Sequence, residues 1–361
     1  MTKLFFSKGS FAMQWPFFSP GPRLEWLQIE ISTACTAACT YCPRTLFHQH
    51  WRSRHMELSV FQRLLPVLRR TRLAYLQGWG DPLTHPDFFT LVALARGAGC
   101  QVGTTTNGVL LDERLCQRLI NEGPDLIGFS LAGLGADNDR VRRGTRYATV
   151  LETIATLGRL KEHLGSQRPH IHLAYLLRAS DMDALEHLVP ALAGRGMSQV
   201  VISLVQSLGD PALDSESLVP KTVEERDRLR DRLERLTEQG RGCGLDIHWR
   251  LPALMEECLD QQGGDEQRAG LPLCTENIQQ AAFVGVEGEV SPCVFCNLPL
   301  EEAGYAAARA SGHRLHRLVF GTIINTDFAK IWNSTAYTDF RRAHRRGDFP
   351  PMCRDCSNLV I

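Results

Sequence analysis

The chain has 361 residues, 43% hydrophobic and 22% charged, a composition that fits a globular protein with one large domain and a smaller one. Its 40 basic and 40 acidic residues cancel, which argues against nucleic acid or an acidic membrane surface as the main partner. No apolar run approaches the roughly 20 residues of a membrane span. The N-terminal MTKLFFSKGSFAMQWPFF has neither a continuous apolar core nor a cleavage site, so no secretory signal is read there and a reducing cytoplasm is expected.

From residue 25 the chain alternates two patterns. Apolar β-formers at 26–31, 73–76, 101–105, 126–131, 170–177 and 200–205 predict six strands. Helical spacing at 60–70, 88–98, 112–121, 149–163 and 182–193 predicts helices between them, with Asp181 as N-cap of the last. Such alternation implies a parallel α/β sheet with right-handed crossovers. Six units fall short of a closed eight-stranded barrel, so an open partial barrel is expected, with a doubly wound sheet as the alternative. Either arrangement collects ligands at the carboxyl ends of its strands.

Residues 206–222 read as a connection, 221–239 as a charged helix and 261–270 as an exposed linker. Beyond them, 281–293 predicts a hairpin turning at Glu287-Gly288, and DFAKIWNS and AYTDFRRAHRR predict short helices. The run from Arg341 to Arg346 is expected to be a solvated face. The expected division is an N-terminal extension (1–24), a core (25–220), a helical linker region (221–270) and a small α+β domain (271–361).

The stretch CTAACTYC places Cys35, Cys39 and Cys42 just beyond the first strand. Three cysteines are odd for a disulfide framework and one short of a four-cysteine metal site. Three thiolates from one loop suit three irons of a [4Fe–4S] cluster and leave the fourth open to a small molecule. Structural zinc, completed by His48, His50 or His55, is the alternative.

The spacing Cys35-x3-Cys39-x2-Cys42, with Tyr41 before the last cysteine, resembles the signature of radical S-adenosylmethionine (SAM) enzymes. The resemblance implies a (βα)6 partial TIM-like barrel in which the open iron binds the methionine part of SAM. Further segments fit the same family. QGWGDP resembles its Gly-Gly-Glu-Pro turn and marks Gly78, Gly80 and Asp81 for SAM, with Trp79 between the glycines and Asp81 in place of Glu. TTTNG resembles its Thr-Asn-Gly and marks Asn107. FSLAG, with Ala132 in place of Asp, marks Ser130, and Arg142 follows at the position that holds the SAM carboxylate in relatives; Arg143 is the neighbouring alternative. A hydroxyl and a guanidinium suit a carboxylate.

Five more cysteines lie near the C-terminus. Cys274-x13-Gly288-x4-Cys293 with Cys353-x2-Cys356 resembles the SPASM/twitch extension of this family. The resemblance implies one auxiliary [4Fe–4S] cluster on Cys274, Cys293, Cys353 and Cys356. Cys296 is surplus; it could replace Cys274 in a paired CxxC arrangement that also suits zinc. Cys100, Cys116, Cys243 and Cys258 read as small buried hydrophobes.

The resemblance implies reductive cleavage of SAM to a 5′-deoxyadenosyl radical and removal of a hydrogen atom from a peptide, or from a target in cofactor or enzyme maturation. An external reductant such as flavodoxin or ferredoxin would supply the electron. Dehydrogenation of a small molecule such as a sugar or aminocyclitol is the alternative within the family. A non-catalytic iron–sulfur scaffold and a zinc-stabilised binding protein are the alternatives outside it. The 24 or so residues before the first strand read as too few for a separate leader-recognition domain. No general base is assignable. His172, Tyr175 and Gln206 could face the cavity, but core or rim packing is the plainer reading; the i, i+2 pair His170 and His172 is poor evidence for a metal, and Met197, Trp249 and Trp332 are assigned to the core.

Overall fold

Alternation of large apolar side chains builds the central sheet. In His170–Leu177 every second residue from Ile171 is buried, the pattern of a strand with one face against helices and the other toward an interior. The computed structural model describes residues 22–205, 210–252, 254, 273–354, 356 and 358–360. Within them the strands of the main sheet are β1 (Leu24–Ile29), β2 (Thr71–Leu76), β3 (Gln101–Thr106), β4 (Leu126–Leu131), β5 (His170–Leu177), β6 (Gln199–Leu204), β7 (Asp246–His248), β8 (Ala281–Val284), β9 (Glu289–Ser291) and β10 (Gly321–Thr322).

Their order is β10-β9-β8-β1-β2-β3-β4-β5-β6-β7. Every neighbouring pair from β8 to β7 is parallel, and β8-β9 and β9-β10 are antiparallel. Two edges remain, at β10 and β7, so the sheet is an open α/β array, the expected partial barrel. The six predicted strands are β1 to β6. The structure adds β7, which lies inside the stretch read as a helical linker; three residues are too short to show a period.

The hairpin expected at 281–293 forms, with Gly288 at φ +85° in its turn. Its first strand lies parallel to β1, pairing Trp26 with Ala281 and Ile29 with Val284. The C-terminal region therefore continues the core sheet on its β1 edge.

Several predicted helices change where proline intervenes. The 60–70 segment splits into Leu58–Gln62 and Leu65–Leu68, because Pro66 lacks the N–H that one continuous helix needs. The 182–193 segment becomes a 3₁₀ stretch, Ala179–His187, followed by Leu188–Leu192. Asp181 is not its N-cap; Arg178 is, and the buried Asp181 carboxylate accepts from the Arg178 backbone N–H and guanidinium. A short helix, Pro211–Glu216, interrupts the predicted connection and is capped by Asp210. The predicted linker 261–270, Cys258 and Gln206 lie outside the described residues.

The main core packs Leu27, Ile29, Phe129, Leu173 and Val200 of the sheet against helices that carry Leu91, Leu119 and Ile154. A second cluster joins Phe47 to Leu298, Leu300, Tyr305 and Leu315. It fastens the segment after the first cysteine trio to the C-terminal region. Arg341 departs from the expected solvated face: it is buried, its guanidinium stacked 3.9 Å over Trp332 and donating to the Trp332 carbonyl at 2.8 Å.

Candidate active site

A cavity of about 380 Å³ opens at the carboxyl ends of the parallel strands. Each strand from β2 to β6 delivers wall residues in or beyond its carboxyl half: Gly78, Gly80 and Asp81 after β2, Thr106 and Asn107 at the end of β3, Ser130 on β4, Ala174 and Leu176 on β5, Ser203 on β6. Cys35, Cys39, Tyr41 and Cys42, from the loop after β1, form one wall. Parallel strands end on one side of a sheet, so residues far apart in the chain must meet there.

The cysteine loop is shaped by its own hydrogen bonds. A two-stranded ribbon pairs Ala38 with Arg143 and Cys39 with Arg142. Ala37 N donates to Cys35 Sγ at 3.4 Å, and Asn107 Nδ2 donates to Cys35 Sγ at 3.5 Å and to Thr36 Oγ1 at 3.0 Å. Asn107 thus props the loop with its amide. Burial pushes the Cys35 thiol up, and burial together with the neighbouring Cys39 pushes Cys42 up to about 12. Bare thiolates are costly in such a place, and iron removes the cost by bonding them.

Arg142 is buried and lines the cavity, whereas Arg143 is exposed. Arg142 Nη1 donates to Tyr41 Oη at 2.5 Å, and its Nε has no protein partner. A buried guanidinium beside thiols and an open cavity has the chemistry to pair with an anion.

Asp81 is buried at the end of the loop that holds Gly78 and Gly80. Its carboxylate accepts from Leu83 N at 3.0 Å, Asn107 N at 2.7 Å and Thr106 Oγ1 at 2.9 Å. The bonds from Thr106 and Asn107 tie the β2 loop to the β3 loop. Tyr175 is buried in the apolar core and also lines the cavity, whereas His172 lies beside Gly128, held neutral because burial lowers it to about 4.

The second set of cysteines also assembles. Cys274 and Cys356 sit on or beside a short ribbon, Leu273–Cys274 with Leu359–Val360. Cys293, Cys353, Cys274 and Cys356 are near enough to raise one another, with Cys356 pushed up to about 12 chiefly by burial. Cys296 is buried at 3.6 Å from Cys293, Sγ to Sγ. Among the described residues no three His, Cys, Asp or Glu side chains are arranged to hold a single metal ion. Two groups of sulfur donors are the ligand type that iron–sulfur clusters take.

Residues that the sequence did not reveal complete the cavity. Glu276, Phe295 and Asn358 come from the C-terminal cysteine segments and form the wall shared with that region. Asn358 Nδ2 donates to Glu276 Oε1 at 3.2 Å, and burial raises the Glu276 carboxyl to about 7. A second cavity of about 470 Å³ adjoins the first through Ser203, Leu204 and Asn358, with His248 and Arg250 in its wall. It is larger, but none of the cysteines lines it.

Glu30, directly after β1, is another residue without a motif. It is buried, and its carboxyl is raised to about 8 by burial, against the lowering effect of the Trp79 N–H. A carboxyl that keeps its proton in the fold stabilises it fully below the unfolded value near 4.5. That stability is lost as pH rises through about 8. Chemical denaturation from pH 5 to 9 should show this decline in the wild type, and Glu30→Gln should flatten it. An equal slope in both proteins would assign the decline to other groups.

A parallel α/β sheet whose strand ends gather three thiols, with a second thiol set in the C-terminal segments that share the cavity wall, suits an iron–sulfur enzyme of the partial-barrel type. Residues 29–188 match the Radical SAM superfamily and residues 274–357 match SPASM, an iron–sulfur cluster-binding domain. The chain belongs to the radical SAM superfamily, with a C-terminal SPASM domain, and is an enzyme that uses SAM and [4Fe–4S] clusters. This sets aside the non-catalytic alternatives.

The tungsten-containing aldehyde ferredoxin oxidoreductase cofactor-modifying protein of Pyrococcus furiosus is 25% identical over 345 residues, covering 92% of this chain and 87% of the relative. The PqqA peptide cyclase of Granulibacter bethesdensis is 27% identical, covering 56% of each chain. Among solved structures, Streptococcus suis SuiB bound to S-adenosylmethionine has a TM-score of 0.62 at 14% identity, covering 88% of this chain and 68% of SuiB. Native anSMEcpe with bound AdoMet has a TM-score of 0.63 at 17% identity, covering 93% and 88%. These two likenesses establish the fold. Among the described residues no helix is long and apolar enough to cross a membrane.

Proposed function

We propose that this enzyme cleaves SAM reductively and uses the 5′-deoxyadenosyl radical to take a hydrogen atom from a peptide, or from a target in cofactor or enzyme maturation. The observation that carries this reading is the shared cavity. Its one wall is the Cys35, Cys39 and Cys42 loop, and its other is built from Glu276, Phe295 and Asn358 beside the C-terminal cysteines. A substrate held there lies between the two thiol sets. The activities named for the Pyrococcus and Granulibacter relatives, cofactor modification and peptide cyclisation, support the substrate class.

In this reading Cys35, Cys39 and Cys42 hold the SAM-binding cluster. When bound, that cluster supplies the electron that splits the SAM sulfonium. Arg142, which lines the cavity, would pair with the SAM carboxylate, with Ser130 as a hydroxyl partner. Gly78 and Gly80 keep backbone close to the ligand, because a side chain at either position would collide with Glu30 or with the cysteine loop. Asp81 and Asn107 act behind them by fixing the two loops. Cys274, Cys293, Cys353 and Cys356 hold the auxiliary cluster, and a flavodoxin or ferredoxin delivers the electron.

Anaerobic reconstitution tests the reading. About eight irons per chain are expected from two four-iron clusters, with 5′-deoxyadenosine formed after SAM and a strong reductant are added. A fully loaded, reduced protein that makes no nucleoside would overturn it.

A further inference from the structure

The tryptophan between the two cavity glycines makes contacts that SAM binding alone does not require. Trp79 N donates to Glu30 Oε1 at 2.7 Å. Its indole Nε1 donates to the Val294 carbonyl at 3.2 Å, across 215 positions of sequence. Its ring meets Phe295 edge to face, with centroids 5.6 Å apart and planes at 80°. Val294 and Phe295 lie in the 3₁₀ turn Val294–Cys296, so these two partners of Trp79 stand between Cys293 and Cys296, while its ring also packs beside the Phe47 and Leu298 cluster.

The loop around Trp79 has no room to yield. A Cβ on Gly78 would sit 2.4 Å from the Glu30 side chain, and one on Gly80 would sit 2.4 Å from the Ser32 carbonyl and 2.5 Å from that of Ala34. Asp81 N donates to the same Ala34 carbonyl at 2.8 Å, one residue before Cys35. The SAM loop is therefore clamped between the first cysteine loop and the turn that carries Cys293. Glu30 adds a second strap, since it also accepts from the Val286 N–H in the C-terminal hairpin.

We propose that Trp79 is a positioning residue that makes the geometry of the SAM loop depend on ligation of the C-terminal cysteines. The turn Val294–Cys296 is held at one end by Cys293. With the auxiliary cluster in place the turn is fixed, Trp79 is fixed on it, and Gly78 and Gly80 present their backbone to SAM in one arrangement. Without the cluster the turn loses its anchor, and the loop loses its support on that side. This inference rests on the assignment of the two thiol sets made above.

The test is a double-mutant cycle read by SAM affinity, measured by equilibrium dialysis on anaerobically reconstituted full-length enzyme, with iron counted in every sample. Trp79→Ala and Cys353→Ala should each weaken SAM binding about tenfold, a usual size for coupling between two sites. The double variant should stay within about twofold of the weaker single one, because both changes break the same link. Trp79→Phe keeps the contact with Phe295 and loses the bond to Val294, so it should fall between wild type and Trp79→Ala. It also supplies the readout, together with Phe295→Leu, should Trp79→Ala fail to load iron.

Two results would overturn the proposal: unchanged SAM affinity in Cys353→Ala, or independent factors that multiply to about a hundredfold in the double variant. The iron count separates this from failure of the assignment. A wild-type chain that never takes up the second set of irons would refute the assignment itself, and the coupling with it.

Discussion

Cys39→Ala is expected to abolish SAM cleavage while the C-terminal cysteines keep about four irons. Cys39 stands in the ribbon that pairs with Arg142, and its neighbours Cys35 and Cys42 line the same wall of the cavity. With one of three ligands gone the first cluster is no longer held, and the electron cannot reach SAM. The second set lies on other segments, the ribbon of Cys274 and the turns of Cys293, Cys353 and Cys356, and shares no ligand with the first. The reciprocal variant, Cys353→Ala, should lose about half the iron yet still form 5′-deoxyadenosine at saturating SAM. Iron analysis and nucleoside assays on both variants check this. Complete loss of iron and of nucleoside in Cys353→Ala would mean that the two sets are one site.

Arg142→Ala should weaken SAM binding by a factor on the order of a hundred, the size of a lost charge-assisted bond in a buried place. Arg142 is buried, bonded to Tyr41 Oη, and lines the cavity. Burial alone would lower its affinity for the proton, but Tyr41, Cys39 and Cys35 pull it the other way, so it stays charged. Arg142→Lys keeps the charge without the planar fork and should recover part of the affinity. Arg143→Ala changes an exposed side chain and should leave affinity near wild type. Equilibrium dialysis distinguishes the three. Unchanged affinity in Arg142→Ala would reduce Arg142 to a prop for Tyr41.

Much of the site can be read in the chain because its chemistry is local. A three-cysteine loop is recognised by spacing, and its position after a strand follows from alternation of short apolar runs with helical ones. Arg142 needed more: only the fold shows that Arg142 is buried at the cavity wall while Arg143 is exposed. Asp81 was legible as a residue of the turn. That its carboxylate ties two loops became visible only when Thr106 and Asn107 arrived from the next strand.

The sequence by itself determined the parallel α/β array of β1 to β6 and the first cysteine trio, which rest on residues close together in the chain, and pointed to the family and the second cysteine set through motifs that resemble known members. Only the tertiary structure decided that β8 joins the sheet beside β1, about 250 positions away, and that Glu276, Phe295 and Asn358 face the same cavity as Cys35. Glu30 and Trp79 belong to this second kind: neither sits in a pattern that marks its role, and each acquires it from a partner more than 45 positions distant. The physical reason is the same in each case. Spacing encodes what one turn or one strand does, whereas a cavity wall or a buried hydrogen bond is set by which strand ends the fold brings together.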